Sequence, residues 1–105
     1  MDSKHMEHVK RIMDAYEEAQ EELMGAQEYA KRAHHATDGE NKSMYTTMAR
    51  QELEHENKLL DSGDRAIRSM DADAHRELMD YIWGEMKKQL HTWRHSIETK
   101  LEQKM

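Results

Sequence analysis

The sequence has no cysteine, no proline and only four glycines in 105 residues. Without cysteine there can be no disulfide framework, no zinc–thiolate site and no rubredoxin-type iron site. Without proline, and with glycine rare, little interrupts a helix, and the dominant residues (Glu, Lys, Met, Gln, Ala, Leu) are good helix formers. No run of about eighteen apolar residues occurs, which excludes a helical membrane span. Met1 to Lys10 is charged throughout, so no secretory leader is expected, and a cytoplasmic location fits the lack of cysteine. Basic side chains are also in the minority. Sixteen Lys and Arg face 22 Asp and Glu, a net charge of −6, which argues against a nucleic-acid partner and suits attraction of cations.

The length suffices for one domain, residues 1–105, and a domain this small commonly draws on metal or association for stability. The pattern predicts an all-α chain of three helices. The first spans about Lys4 to Ala36, and the second starts at Asn41 or Lys42 and ends near Leu60. Between them lies the turn Thr37-Asp38-Gly39-Glu40, with Gly39 free to take positive φ. Asp61-Ser62-Gly63-Asp64 reads as the next breaker, followed by a short helical piece or a continuation after a kink. Asp71 or Asp73 then caps a third helix that reaches about Gln103.

The short first turn makes an antiparallel hairpin of helices 1 and 2, about residues 4–61, with the third helix over about 72–104. Helix 1 carries two adjacent stripes. One is Met6, Val9, Met13, Tyr16, Gln20, Leu23, Gln27 and Ala30, and the other is Ala15, Ala19, Glu22, Ala26, Tyr29 and Ala33. Together they predict a wide inward face in which Glu22 interrupts a run of alanines. On helix 2 the expected inward stripe is Tyr45, Met48, Glu52, His55 and Leu59. Most acidic residues, such as Glu17, Glu18, Glu21 and Glu54, fall on flanks or outer faces, so Glu22, Glu52 and His55 remain as ionisable groups assigned inward. The helix-3 stripe of Leu78, Ile82, Met86, Leu90, Trp93, Ile97 and Leu101 is longer than the hairpin can easily cover, which predicts packing on a neighbouring chain as well.

A carboxylate in an apolar setting costs several kcal/mol unless it is paired, hydrogen-bonded or bound to metal. A cation relieves both the burial and the mutual repulsion of two carboxylates, and iron(II) accepts carboxylate oxygens together with imidazole. Residues 52 and 55 lie one turn apart and can reach one ion. At 1.5 Å per residue, Glu22 sits roughly 25 Å and Glu52 roughly 20 Å back from the turn, an offset that side chains can span. Di-iron bundles use a Glu from each of two helices and Glu-x-x-His from each of two others. This chain holds one such set, so a second copy is required to complete two metal sites.

Glu22 with Tyr29 seven residues on, then Glu52-Leu53-Glu54-His55 thirty residues from Glu22, resembles the ferritin and rubrerythrin pattern. Over about residues 15–62 it is most similar to encapsulated ferritin, a half-ferritin. The resemblance implies a ferritin-like four-helix bundle on dimerisation, a larger ring such as a decamer, and housing inside an encapsulin shell. It implies ferroxidase activity, oxidation of Fe(II) to Fe(III) with dioxygen for iron storage or detoxification. Glu22, Glu52 and His55 then correspond to the di-iron ligands, with Glu52 bridging, and Mn or Zn able to substitute. Tyr29 corresponds to a tyrosine beside the metals and Glu21 to an acidic residue that guides iron inward. A second acidic guide position of the family is Met24 here. The family's C-terminal docking peptide has no match in Thr99-Lys100-Leu101-Glu102-Gln103-Lys104-Met105, which reads as helix.

A second reading from another class makes the chain a non-catalytic helical oligomerisation protein, with Glu22, Glu52 and His55 as a polar layer that sets register. A di-iron oxygenase or peroxidase would need a substrate pocket or an electron-transfer partner, and neither is signalled. His91 and His95 are expected on a solvated face, and His34-His35 to favour the C-terminal dipole of helix 1. Met1 to Met6, with His5 and the nearby His8, is assigned no role. The methionines are expected as core fillers, and Trp83 and Trp93 as packing or interface anchors.

Overall fold

A computed structural model describes residues 3–103. It holds three helices, α1 (Ser3–His35), α2 (Gly39–Arg68) and α3 (Ala74–Glu102), and no strand among the described residues. They run up, down and up in a slab of 55 × 19 × 15 Å. No helix among the described residues is long and apolar enough to cross a membrane.

Local signals set the boundaries. Asp38 sits in extended backbone as the N-cap of α2 and accepts a hydrogen bond from the Asn41 backbone N–H at 2.7 Å. Asp73 does the same for α3 through the Arg76 N–H at 3.0 Å, which settles the choice between Asp71 and Asp73. Gly39 does not take positive φ. It opens α2 as an ordinary helical residue because Asp38 already supplies the cap.

The expected end of helix 2 near Leu60 is corrected. Asp61, Ser62, Gly63 and Asp64 lie inside a continuous α2. Gly63 serves tertiary packing here, with no helix break. A Cβ on it would fall 2.2 Å from the Trp83 ring, so α3 lays its indole directly on the α2 backbone. Asp64 receives the Trp83 indole N–H at 2.8 Å and Lys87 Nζ at 2.9 Å. Both donors stabilise its carboxylate and hold its pKa below the usual range against the opposing effect of burial.

The core consists of Ile12, Leu23, Leu53, Leu60, Ile67, Met70, Met79, Trp83, Leu90 and Ile97 with Ala15, Ala19, Ala26 and Ala30 of α1 and Ala66 of α2. Each large aliphatic side chain buried there contributes about 1.5–3 kcal/mol of transfer free energy. Of the two α1 stripes, the alanine one faces inward together with Leu23 and Ala30. Met6 and Met13 are exposed, because α3 covers only part of that side. On α3, Leu78 is also exposed, while Ile82, Met86, Trp93 and Leu101 pack on the core edge. His91 and His95 are solvated, as expected, and Trp83 is a packing anchor at 1 % exposure. His8 is buried and His5 stacks on His75 at 4.3 Å, so this end of α1 belongs to the fold after all.

Besides the Lys87–Asp64 pair, a buried ion pair fastens α3 to the hairpin. Glu56 is 0 % exposed, and Arg94 donates to it at 2.6 Å, to the Leu53 carbonyl at 2.8 Å and to Asn57 Oδ1 at 3.1 Å. Removing one partner of such a pair leaves a buried charge, whereas replacing both with apolar groups removes the penalty as well. We expect Arg94→Met to lower the unfolding free energy by about 3–5 kcal/mol, and Glu56→Leu with Arg94→Met to recover most of it, in chemical denaturation. By the same measurement Gly63→Ala should destabilise by about 1–3 kcal/mol through overpacking against Trp83, although alanine is the better helix former.

Candidate metal centre

The α1–α2 seam is lined by small residues: Ala15, Ala19, Ala26, Ala30 and Ala33 on one side and Ala49 on the other. Small side chains let two helices approach closely. Glu22 and Glu52 lie at the edge of this seam, where short separation brings the two carboxylates together. Glu22, Glu52 and His55 each offer one ligand atom, and those atoms lie within 4.8 Å of one another, the one such group among the described residues. The sequence-based trio therefore converges.

Its burial differs from expectation. The inward face of α2 is Ala49, Leu53, Glu56 and Leu60, and the stripe of Tyr45, Met48, Glu52, His55 and Leu59 runs along its flank. Stripes one residue apart differ by only 100° on a helix, and the contact with Arg94 pulls Glu56 inward. Glu22 and Glu52 are half-buried and the His55 side chain is 53 % exposed. The trio thus faces out from the hairpin. Tyr16 and Gln27 of α1 hydrogen-bond to Gln89 and Trp93 of α3, so α3 occupies the other flank.

The electrostatics show strain among like charges. His55 Nδ1 stands 3.5 Å from Glu22 Oε2, close enough for attraction but too long for a good hydrogen bond. That Glu22 oxygen is itself buried and has no hydrogen-bond partner. Glu52 is pushed up from 4.5 to about 7, first by a hydrogen bond to Glu22 that requires the proton, then by burial and by repulsion from Glu22, with His55 opposing. Glu52 therefore holds its proton more tightly than a free glutamate, because a second carboxylate lies beside it. An unsatisfied oxygen, a retained proton and a neighbouring imidazole are the donor set that a hard or borderline cation would neutralise, so the residues fit a metal.

Around the trio, an open groove of about 400 Å³ is lined by Glu18, Glu21, Glu22, His55, Lys58 and Leu59. Glu21 and Glu18, both assigned by the sequence to a flank or outer face, line this groove beside Glu22 and His55. Tyr29 lies two turns from Glu22 on α1, stacked on Tyr45 with centroids 6.3 Å apart and with the Arg32 guanidinium 5.9 Å from its ring centroid. It flanks the group and supplies none of its three converging atoms. Sequence reasoning missed Glu56, Arg94 and Gly25. A Cβ on Gly25 would come within 3.1 Å of Glu52 Oε2, and a glycine three residues after Glu22 was the available signal.

The raised Glu52 pKa fixes the sign of two pH effects. In metal-free protein the folded state keeps a proton that the unfolded chain releases above about 4.5. Stability from this group is therefore present below that pH and is lost as pH rises towards about 7. A cation must displace the same proton, so its affinity should climb through that window and level off above about 7. Calorimetric titration of Mn(II) between pH 5 and 8 measures this, with Glu52→Gln flattening the profile.

No protein-family model, curated protein or solved structure matches this chain.

Proposed function

We propose that the chain is a ferroxidase that oxidises Fe(II) to Fe(III) at a di-iron centre shared between two subunits, for iron storage or detoxification. The observation that carries the reading is the convergence of Glu22, Glu52 and His55 on the flank of the hairpin that α3 leaves open. One copy offers two carboxylates and one imidazole. A second copy placed across a two-fold axis brings the set to four carboxylates and two imidazoles, the complement of a ferritin-like four-helix bundle.

In this reading Fe(II) is substrate. Glu18 and Glu21 draw the cation into the groove, and Glu22, Glu52 and His55 hold it. Carboxylates favour the harder Fe(III) and so lower the potential for its oxidation. Two ions held together supply two electrons to one dioxygen, which takes up two protons, so no one-electron superoxide product is released. The proton held on Glu52 leaves as cation binds. Tyr29, two turns along α1 from Glu22, would contribute a hydrogen bond or a further electron in this reading. The Fe(III) product passes to a mineral store. A larger ring and an encapsulin shell belong to this reading as its further assembly.

The polar-layer alternative draws on the His55–Glu22 contact and the raised pKa of Glu52 beside Glu22, a polar group that can set helix register without metal. Aerobic Fe(II) oxidation separates the two. Wild type should turn over and Glu52→Ala should lose at least about tenfold in rate, the scale of losing a ligand-shell interaction. Equal rates would leave the polar layer standing. Metal and assembly should also be linked, since a cation that binds only the dimer stabilises it by mass action. In sedimentation velocity, Fe(II) added anaerobically should shift the chain towards dimer. Stoichiometric binding by a monomer would contradict the shared centre.

A further inference from the structure

We propose that Gly25 is a positioning residue for Glu52, holding open the seat against α1 from which the Glu52 carboxylate reaches Glu22 and His55. The proposal rests on the metal-centre reading of those three residues and adds a determinant of its geometry.

Glycine is the least favoured ordinary residue inside a helix after proline. Gly25 nevertheless lies deep within α1, on a helix whose buried face is mostly alanine. Backbone conformation does not explain it, because no glycine in the chain has positive φ. The surroundings do. A Cβ at this position would stand 3.1 Å from Glu52 Oε2, 3.4 Å from its Cδ and 3.7 Å from its Cγ, so its three nearest neighbours all belong to that one side chain. A methyl carbon and a carboxylate oxygen at 3.1 Å are inside comfortable van der Waals contact. Alanine would therefore leave the fold intact and displace the flexible end of Glu52 by a few tenths of an ångström. Ligand constellations tolerate displacements of about 0.5 Å before function suffers, so a bulkier residue should do more than alanine.

The other glycines sharpen the contrast. Gly63 is required by the Trp83 ring, a packing role. Gly84, mid-helix in α3, has nothing within 4 Å of an added Cβ and provides a control.

The experiment compares wild type, Gly25→Ala, Gly25→Leu and Gly84→Ala. Thermal unfolding of the metal-free proteins should show Gly25→Ala and Gly84→Ala at or above the wild-type midpoint, since both gain helix propensity. Anaerobic calorimetric titration with Fe(II) should show affinity lowered only slightly in Gly25→Ala, roughly tenfold in Gly25→Leu, and unchanged in Gly84→Ala. A crystal structure of Gly25→Ala should show the Glu52 carboxylate moved away from α1. Wild-type affinity in both Gly25 variants, or an unmoved carboxylate, overturns the role of Gly25 while leaving the metal centre in place. Failure of wild type itself to bind Fe(II) overturns the metal centre and this inference together.

Discussion

Close approach of α1 and α2 is the constraint from which the rest follows. Alanines 15, 19, 26, 30 and 33 present almost no side chain to the partner helix, and Ala49 answers from α2. A seam so thin cannot bury long side chains at its edge, yet it brings groups on either side of it into contact. Glu22 and Glu52 meet for that reason, and their mutual repulsion is a consequence of the packing that stabilises the hairpin. Gly25 narrows the separation once more at the one point where a carboxylate must lie against the α1 backbone.

Three glutamates on α2 show how environment divides one chemistry. Glu54 is solvated and does nothing that the structure records. Glu56 is fully enclosed but matched by Arg94, so it remains a structural charge that ties α3 to the hairpin. Glu52 is only half-enclosed and has another carboxylate for a neighbour, so it keeps a proton to about 7. The pair that is best buried is the least suited to bind a cation, because its charge is already balanced. The group with the unresolved charge is the one with chemical capacity.

The position of α3 decides which flank remains available. Gln89 and Trp93 dock on one side of α1, and Trp83 lies across Gly63 of α2. The opposite flank keeps Glu22, Glu52, His55 and the groove beside them. Exposed Met6, Met13, Leu78 and Tyr81 show that three helices of this length cannot enclose all their apolar surface in a slab 15 Å thin.

Much of this was legible in the residues. Long helices follow from the absence of proline, the hairpin from a turn too short for anything else, and the caps from Asp38 and Asp73. The trio of Glu22, Glu52 and His55 could be found because a lone Glu in an alanine stripe and a Glu-x-x-His keep their spacing on any straight helix. What the sequence could not decide was rotation and reach. Adjacent stripes on a helix differ by one residue, so whether Glu52 or Glu56 turns to the core depends on where Arg94 arrives from α3. Gly63 and Asp64 carry the local signature of a break, and only the Trp83 indole packed on them reveals that the helix runs on. Local propensity and periodicity determine the elements. The depth of a charge, and the purpose of a glycine, belong to contacts between residues distant in the chain.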